Sequence, residues 1–101
     1  MKTKVESIKK FRKNIDKIDR KLIFVLAERF RLTEKVGEYK AKYDLPVKDP
    51  VREQEMFTER RLWAKELGID KNVVDKIFNL IIKSVRQKHK IIKKVKVKSH
   101  N

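Results

Sequence analysis

The sequence predicts an all-α fold of three helices, one very long N-terminal helix among them, assembled as a homodimer. Three observations carry this. Only two glycines and two prolines occur in 101 residues of which 43% are charged, the composition of long helices rather than of a sheet or a disordered tail. Apolar residues recur at alternating spacings of three and four from Ile8 to Tyr43. Two short punctuation segments, "DLPVKDP" and "GID", divide the rest of the chain.

The first helix is expected from about Val5 to Tyr43. Its seam is Ile8, Phe11, Ile15, Ile18, Leu22, Val25, Arg29, Leu32, Val36, Tyr39 and Tyr43, a heptad pattern with one charged member. No proline interrupts it, and Gly37 alone weakens it. At 1.5 Å per residue it would be about 57 Å long. A compact domain of this size has a radius of gyration of about 13 Å, so one chain cannot cover such a seam. A second copy, related by two-fold symmetry, is the expected cover.

Pro46 disfavours helix at Leu45, and Asp49 before Pro50 reads as an N-cap followed by proline at the first helical position. The second helix should run from Pro50 to about Leu67, with Val51, Met56, Phe57, Trp63 and Leu67 as apolar surface and Gly68 as its C-terminal cap. Asp70 caps a third helix that carries Val74, Ile77, Phe78, Ile81 and Val85 on one face. That helix is expected to end near Lys90, giving a helical domain over 1–90 and a basic tail over 91–101.

The formal net charge is +15, and from Lys83 onward there are eight Lys/Arg and no Asp or Glu. Such an excess draws anions, large or small. The chain has no cysteine, which excludes disulfide and thiol chemistry. Its start lacks the apolar stretch of a signal peptide, and the longest apolar run, "LIFVLA", is six residues, too short for a bilayer. A soluble cytoplasmic protein is expected. There is no glycine-rich phosphate loop and no metal-ligand spacing, and the histidines are His89 and His100. An enzyme built from these residues works by binding and electrostatics rather than through a nucleophile.

Arg29 stands in an apolar seam, where a guanidinium requires an anion: a structural ion-pair partner, or a ligand carboxylate or phosphate. Lys40, 11 residues on, returns to within about 20° of Arg29, roughly 16 Å along the axis. The two could clamp one small anion, or Lys40 could be solvated. Arg12 lies about 25 Å before Arg29 and about 100° around the helix. It can approach Arg29 only from the other chain of an antiparallel dimer, and otherwise it is a surface arginine. In "VKDPVREQE", residues 47–55, Asp49 and Glu53 suit a helix start and Arg52 suits solvent. A carboxylate there could also accept a ligand hydroxyl proton, and an arginine could add positive field.

These residues form a pattern. "FRKNIDKIDRKLIFVLAERFRLTEKVGEYK" at 11–40, "LPVKDPVREQE" at 45–55, "ELGID" at 66–70 and "IFNLII" at 77–82 together resemble the all-helical, AroQ-type chorismate mutases. The resemblance covers about residues 5–90. It implies an intertwined homodimer with two identical sites and the Claisen rearrangement of chorismate to prephenate, in phenylalanine and tyrosine biosynthesis. No cofactor, metal or covalent intermediate is implied. By the matching motifs, Arg29 and Arg12 of the partner subunit hold the two substrate carboxylates, and Lys40 donates to the ether oxygen. Glu53 and the Asp49 region bind the ring hydroxyl, Arg52 adds positive field, and Val36 and Ile82 are apolar walls. The third helix departs from the family pattern. His89 stands where the family usually has a glutamine that donates to the ether oxygen, and Val85 stands at an often polar position. Gln87 is the alternative under a register shift, but it falls about 120° off the apolar face, whereas His89 lies within about 20° of Phe78. A histidine donor predicts activity that falls as pH rises through its titration. Three rival readings stand beside this one. They are a basic helical module binding nucleic acid, a sister lyase removing pyruvate from isochorismate, and a weakly active mutase-like regulatory subunit.

Overall fold

The computed structural model describes residues 3–99, with side chains described through residue 95. Three helices occur in order: α1 (Lys4–Lys42), α2 (Pro50–Glu66) and α3 (Lys71–Ser99). Among the described residues there is no strand. The chain divides into two units, Met1–Leu32 and Thr33–Asn101.

Met1–Leu32 holds most of α1. Thr3 and Glu6 open the helix reciprocally: the Glu6 amide donates to the Thr3 hydroxyl and the Thr3 amide to the Glu6 carboxylate. This capping box satisfies two amides that the helix itself cannot. Along the seam Ile8, Phe11, Ile15, Ile18, Leu22, Val25 and Leu32 are all exposed. Glu28 and Arg31 pair one turn apart on the helix surface.

Thr33–Asn101 contains the end of α1, the linker, and the α2–α3 hairpin. Both turns are closed by one device. At the end of α1 the Leu45 amide donates to Lys40 O at 2.8 Å and the Asp44 amide to Ala41 O at 3.4 Å. At the end of α2 the Ile69 amide donates to Ala64 O at 2.8 Å and the Gly68 amide to Lys65 O at 3.3 Å. Both are Schellman motifs, which need a residue of positive φ at the turn. Gly68, at φ 70°, supplies it without steric cost, as its place in the sequence suggests; at the other turn Asp44 does so at φ 52°. Asp49 accepts from the Arg52 amide at 3.2 Å, and Pro50 occupies the first turn, as expected for this helix start.

The hairpin is fastened by charge and ring contacts more than by an aliphatic core. Arg61 of α2 donates to Asp75 of α3 at 2.8 Å and lies over the Phe57 ring. The Arg60 guanidinium is buried over the Phe78 ring, 4.2 Å from its centroid. Val74, Phe78, Ile81 and Val85 are half-buried on one face of α3, as the spacing predicts, while Ile77 stays exposed. Among the described residues the buried apolar side chains are only Ala41 and Ala64.

One boundary differs from the sequence expectation. α3 does not stop near Lys90 but continues to Ser99. No glycine or proline lies between Lys90 and Asn101 to stop it, and lysines in a last helical turn complement the helix dipole. Lys93 also ties this extension to the end of α1, lying 3.3 Å from the Asp44 carboxylate and donating to Leu45 O. His100 and Asn101, the last residues of the segment read as a tail, lie outside the described residues.

Candidate active site

The expected site residues fall into both units. Arg12 and Arg29 are on α1 within Met1–Leu32, Arg12 exposed and Arg29 half-buried. The others belong to Thr33–Asn101, and the geometry among them can be followed bond by bond.

Lys40 is half-buried in the last turn of α1, and its Nζ donates to Val47 O at 3.1 Å. The ammonium is thus fixed against the linker that leads to Asp49, with two of its three protons still to place. Asp49 spends one oxygen on the Arg52 amide and is otherwise exposed. Arg52 projects from the first turn of α2 and is exposed, and Val36 is exposed on α1. Glu53, one residue further along α2, is half-buried and reaches across to α3.

Glu53 and Ile82 share an open cleft of about 580 Å³ between α2 and α3, together with Pro50, Phe57, Arg60 and Arg86. The lining combines apolar Pro50, Phe57 and Ile82 with the cations Arg60, Lys83 and Arg86, and Glu53 is the acidic member among the lining residues. Arg86 is a site residue that the sequence reasoning does not single out. It pairs with Glu53, donating through Nε at 3.1 Å and through Nη2 to the same oxygen. A signal exists: Arg86 comes four residues after Ile82 and so shares its helix face. In the sequence alone it is one member of the basic run.

His89 is the inward-facing residue of its turn, 5% exposed, while Gln87 is exposed, as the helical angles predict. Its Nε2 lies 2.6 Å from Thr33 O on α1. A carbonyl can only accept, so Nε2 carries a proton. Nδ1 is buried and has no hydrogen-bond partner among the described residues. A neutral His89 therefore presents a lone pair at Nδ1, and a protonated one presents a donor. The ring packs on Gly37, where a Cβ would come within 2.9 Å of Nε2 and closer still to Cδ2. This accounts for a glycine in mid-helix, which otherwise costs about 1 kcal/mol relative to alanine. Val85 is half-buried one turn before His89, and Lys88 faces Glu34 at 3.8 Å.

Among the described residues no group of His, Cys, Asp and Glu could hold a metal ion. What is assembled is a set of cations, one bound carboxylate and apolar walls. Such a set suits an enzyme of the all-helical class that holds a small anion and stabilises developing charge by fixed donors. Comparison with known proteins names the class. Residues 11–90 match the family model of chorismate mutase type II, and the chain belongs to that family. It is 37% identical to a chorismate mutase of Methanocaldococcus jannaschii over 77% of this chain and 79% of that one. It is 33% identical to the T-protein of Enterobacter agglomerans over 78% of this chain and 21% of the relative. It is 38% identical to a bifunctional chorismate mutase/prephenate dehydratase of Aquifex aeolicus over 73% and 19%. In the two longer relatives the match spans about a fifth of the protein.

Proposed function

We propose that the protein is a chorismate mutase, an isomerase that converts chorismate to prephenate by a Claisen rearrangement. The observation that carries this is the family match over residues 11–90, which takes in every candidate site residue from Arg12 to His89.

The reaction breaks an ether C–O bond and forms a C–C bond within one molecule. It needs no nucleophile, so the protein's task is to hold the compact conformer and to meet the negative charge growing on the ether oxygen. Arg29 takes one substrate carboxylate and Arg12 of the partner subunit takes the other. Lys40, held at the linker, donates to the ether oxygen. Glu53 accepts the ring hydroxyl proton, with Asp49 beside it at the start of α2, and Arg52 adds positive field. Val36, Ile82 and Val85 shape the apolar walls. His89 stands where a second donor to the ether oxygen is expected, with its Nε2 proton committed to Thr33 O and its Nδ1 buried.

The working unit is a homodimer. The apolar seam of α1 is exposed in the single chain, and each aliphatic or aromatic side chain covered contributes about 1.5–3 kcal/mol. An antiparallel second copy covers that seam and brings Arg12 to Arg29. The proposed location is the cytoplasm; among the described residues no helix is long and apolar enough to cross a membrane.

The test is conversion of chorismate to prephenate by the purified protein. Turnover far above the uncatalysed rate is expected, with a loss of about 10²–10³-fold in kcat/KM for Arg29→Ala, the size seen when one partner of a hydrogen-bonded charge pair is removed. Turnover at the uncatalysed rate would contradict the proposal.

A further inference from the structure

The Arg86–Glu53 pair has a feature that bears on substrate recognition. Arg86 donates twice, through Nε and Nη2, and both bonds fall on Oε1 of Glu53. Oε2 keeps its lone pairs for another donor. The pair bridges α2 and α3 at the lining of the cleft that also holds Ile82. Both side chains are about one-third exposed, so a ligand can reach the carboxylate while the guanidinium stays in contact with it.

We propose that Arg86 is a positioning residue: by occupying Oε1 it fixes the Glu53 carboxylate so that Oε2 is the acceptor for the substrate's ring hydroxyl. This rests on the mutase reading, in which Glu53 binds that hydroxyl. A glutamate side chain on a helix has three soft torsions and samples many rotamers in water. A guanidinium held on the next helix removes most of that freedom before substrate arrives. An ionised carboxylate is a pure acceptor, so the open oxygen selects a ligand that brings a donor. The hydroxyl takes no part in the bonds that form and break, so the contribution is to binding substrate and transition state alike and appears in KM.

A double-mutant cycle tests this: Arg86→Gln, Glu53→Gln and the double variant, assayed with chorismate as full-length protein and checked for helicity and dimer mass. Arg86→Gln should lower kcat/KM about tenfold, nearly all of it through KM. In the Glu53→Gln background the same change should cost less than about twofold. Arg86→Lys, which keeps a cation that can donate to Oε1, should recover most of the loss, and Arg86→Met, which keeps the stem without a donor, carries the cycle if Arg86→Gln does not fold. Equal losses in both backgrounds, or a loss confined to kcat, would overturn the positioning role while the mutase reading stood. A wild-type protein without turnover would overturn both.

Discussion

The Met1–Leu32 part of α1 and the α2–α3 hairpin differ in how much of their apolar surface the chain itself covers. In the first, the whole seam from Ile8 to Leu32 is exposed around Arg29, and the described ion pair there is local, Glu28 with Arg31. In the second, apolar side chains are half-buried beneath arginines that stack on Phe57 and Phe78 and reach Asp75 and Glu53. The first region is helix whose apolar seam is uncovered along its length. The second covers one face inside its own chain and leaves Trp63, Leu67, Leu80 and Ile91 among its exposed apolar side chains. Local signals suffice to form a helix, but covering its apolar face needs another surface. Here that surface is assigned to a second copy.

Putting a charge on the seam should have the largest effect. Ile18→Glu places an unpaired carboxylate where the partner's seam would lie, at a cost of about 3–5 kcal/mol per buried charge. Sedimentation velocity should show monomer where the parent chain is a dimer. An unchanged dimer would place the interface elsewhere and break the comparison. A similar carboxylate at Leu80, which is exposed on α3 and is no member of the α1 seam, should leave the mass unchanged.

Crowding the Gly37 contact comes next. Gly37→Ala drives a methyl group into the His89 ring and should destabilise the protein by about 1–3 kcal/mol, read by thermal unfolding. Adding His89→Ala should recover much of that loss, because the ring that clashes is gone. Equal destabilisation with and without the ring would assign Gly37 another role.

Replacing the His89 ring comes third. Nε2 is committed to Thr33 O and Nδ1 is buried, so the ring has no free donor to offer the ether oxygen. His89→Gln supplies an amide donor and should raise kcat about tenfold, about 1.4 kcal/mol of added transition-state stabilisation. An unchanged or lower kcat would show that this position gives the ether oxygen nothing.

The smallest effect concerns a turn. Asp44 holds a left-handed conformation that costs most residues about 1–2 kcal/mol. Asp44→Gly removes that cost, gives back part of it through the freer unfolded chain, and loses an exposed ion pair with Lys93 worth little. A net gain of about 0.5 kcal/mol, visible as a rise of a few degrees in Tm, is expected.

What the sequence made legible was local. The start of α2 was set by Asp49 and Pro50 and its end by Gly68, each of which acts through its own backbone geometry. The inward turn of His89 came from helical angles counted from Phe78. What was not legible depended on partners distant in sequence. The weak alternation of "IIKKVKVK" suggested an end near Lys90, yet the helix continues, because nothing in it breaks a helix and Lys93 finds Asp44 and Leu45. In the sequence Arg86 is one charge among eight, and only α2 packed beside α3 gives it Glu53 as a partner. Gly37 weakens the helix by its type, and only the His89 ring packed against it explains its place. Asp44 gave no sign of its left-handed conformation, because the turn that demands it is set by where Lys40 and Leu45 must meet.

A mixing experiment tests the central claim of a mutase site shared between two chains most directly. Arg12→Ala and Arg29→Ala proteins, each inactive alone, are unfolded together, refolded at equal amounts and assayed for chorismate turnover. Random pairing makes half the dimers mixed, and each mixed dimer carries one site with both arginines, so about a quarter of the wild-type specific activity should return. Activity no greater than that of the separate variants would contradict an Arg12 delivered across the interface to Arg29.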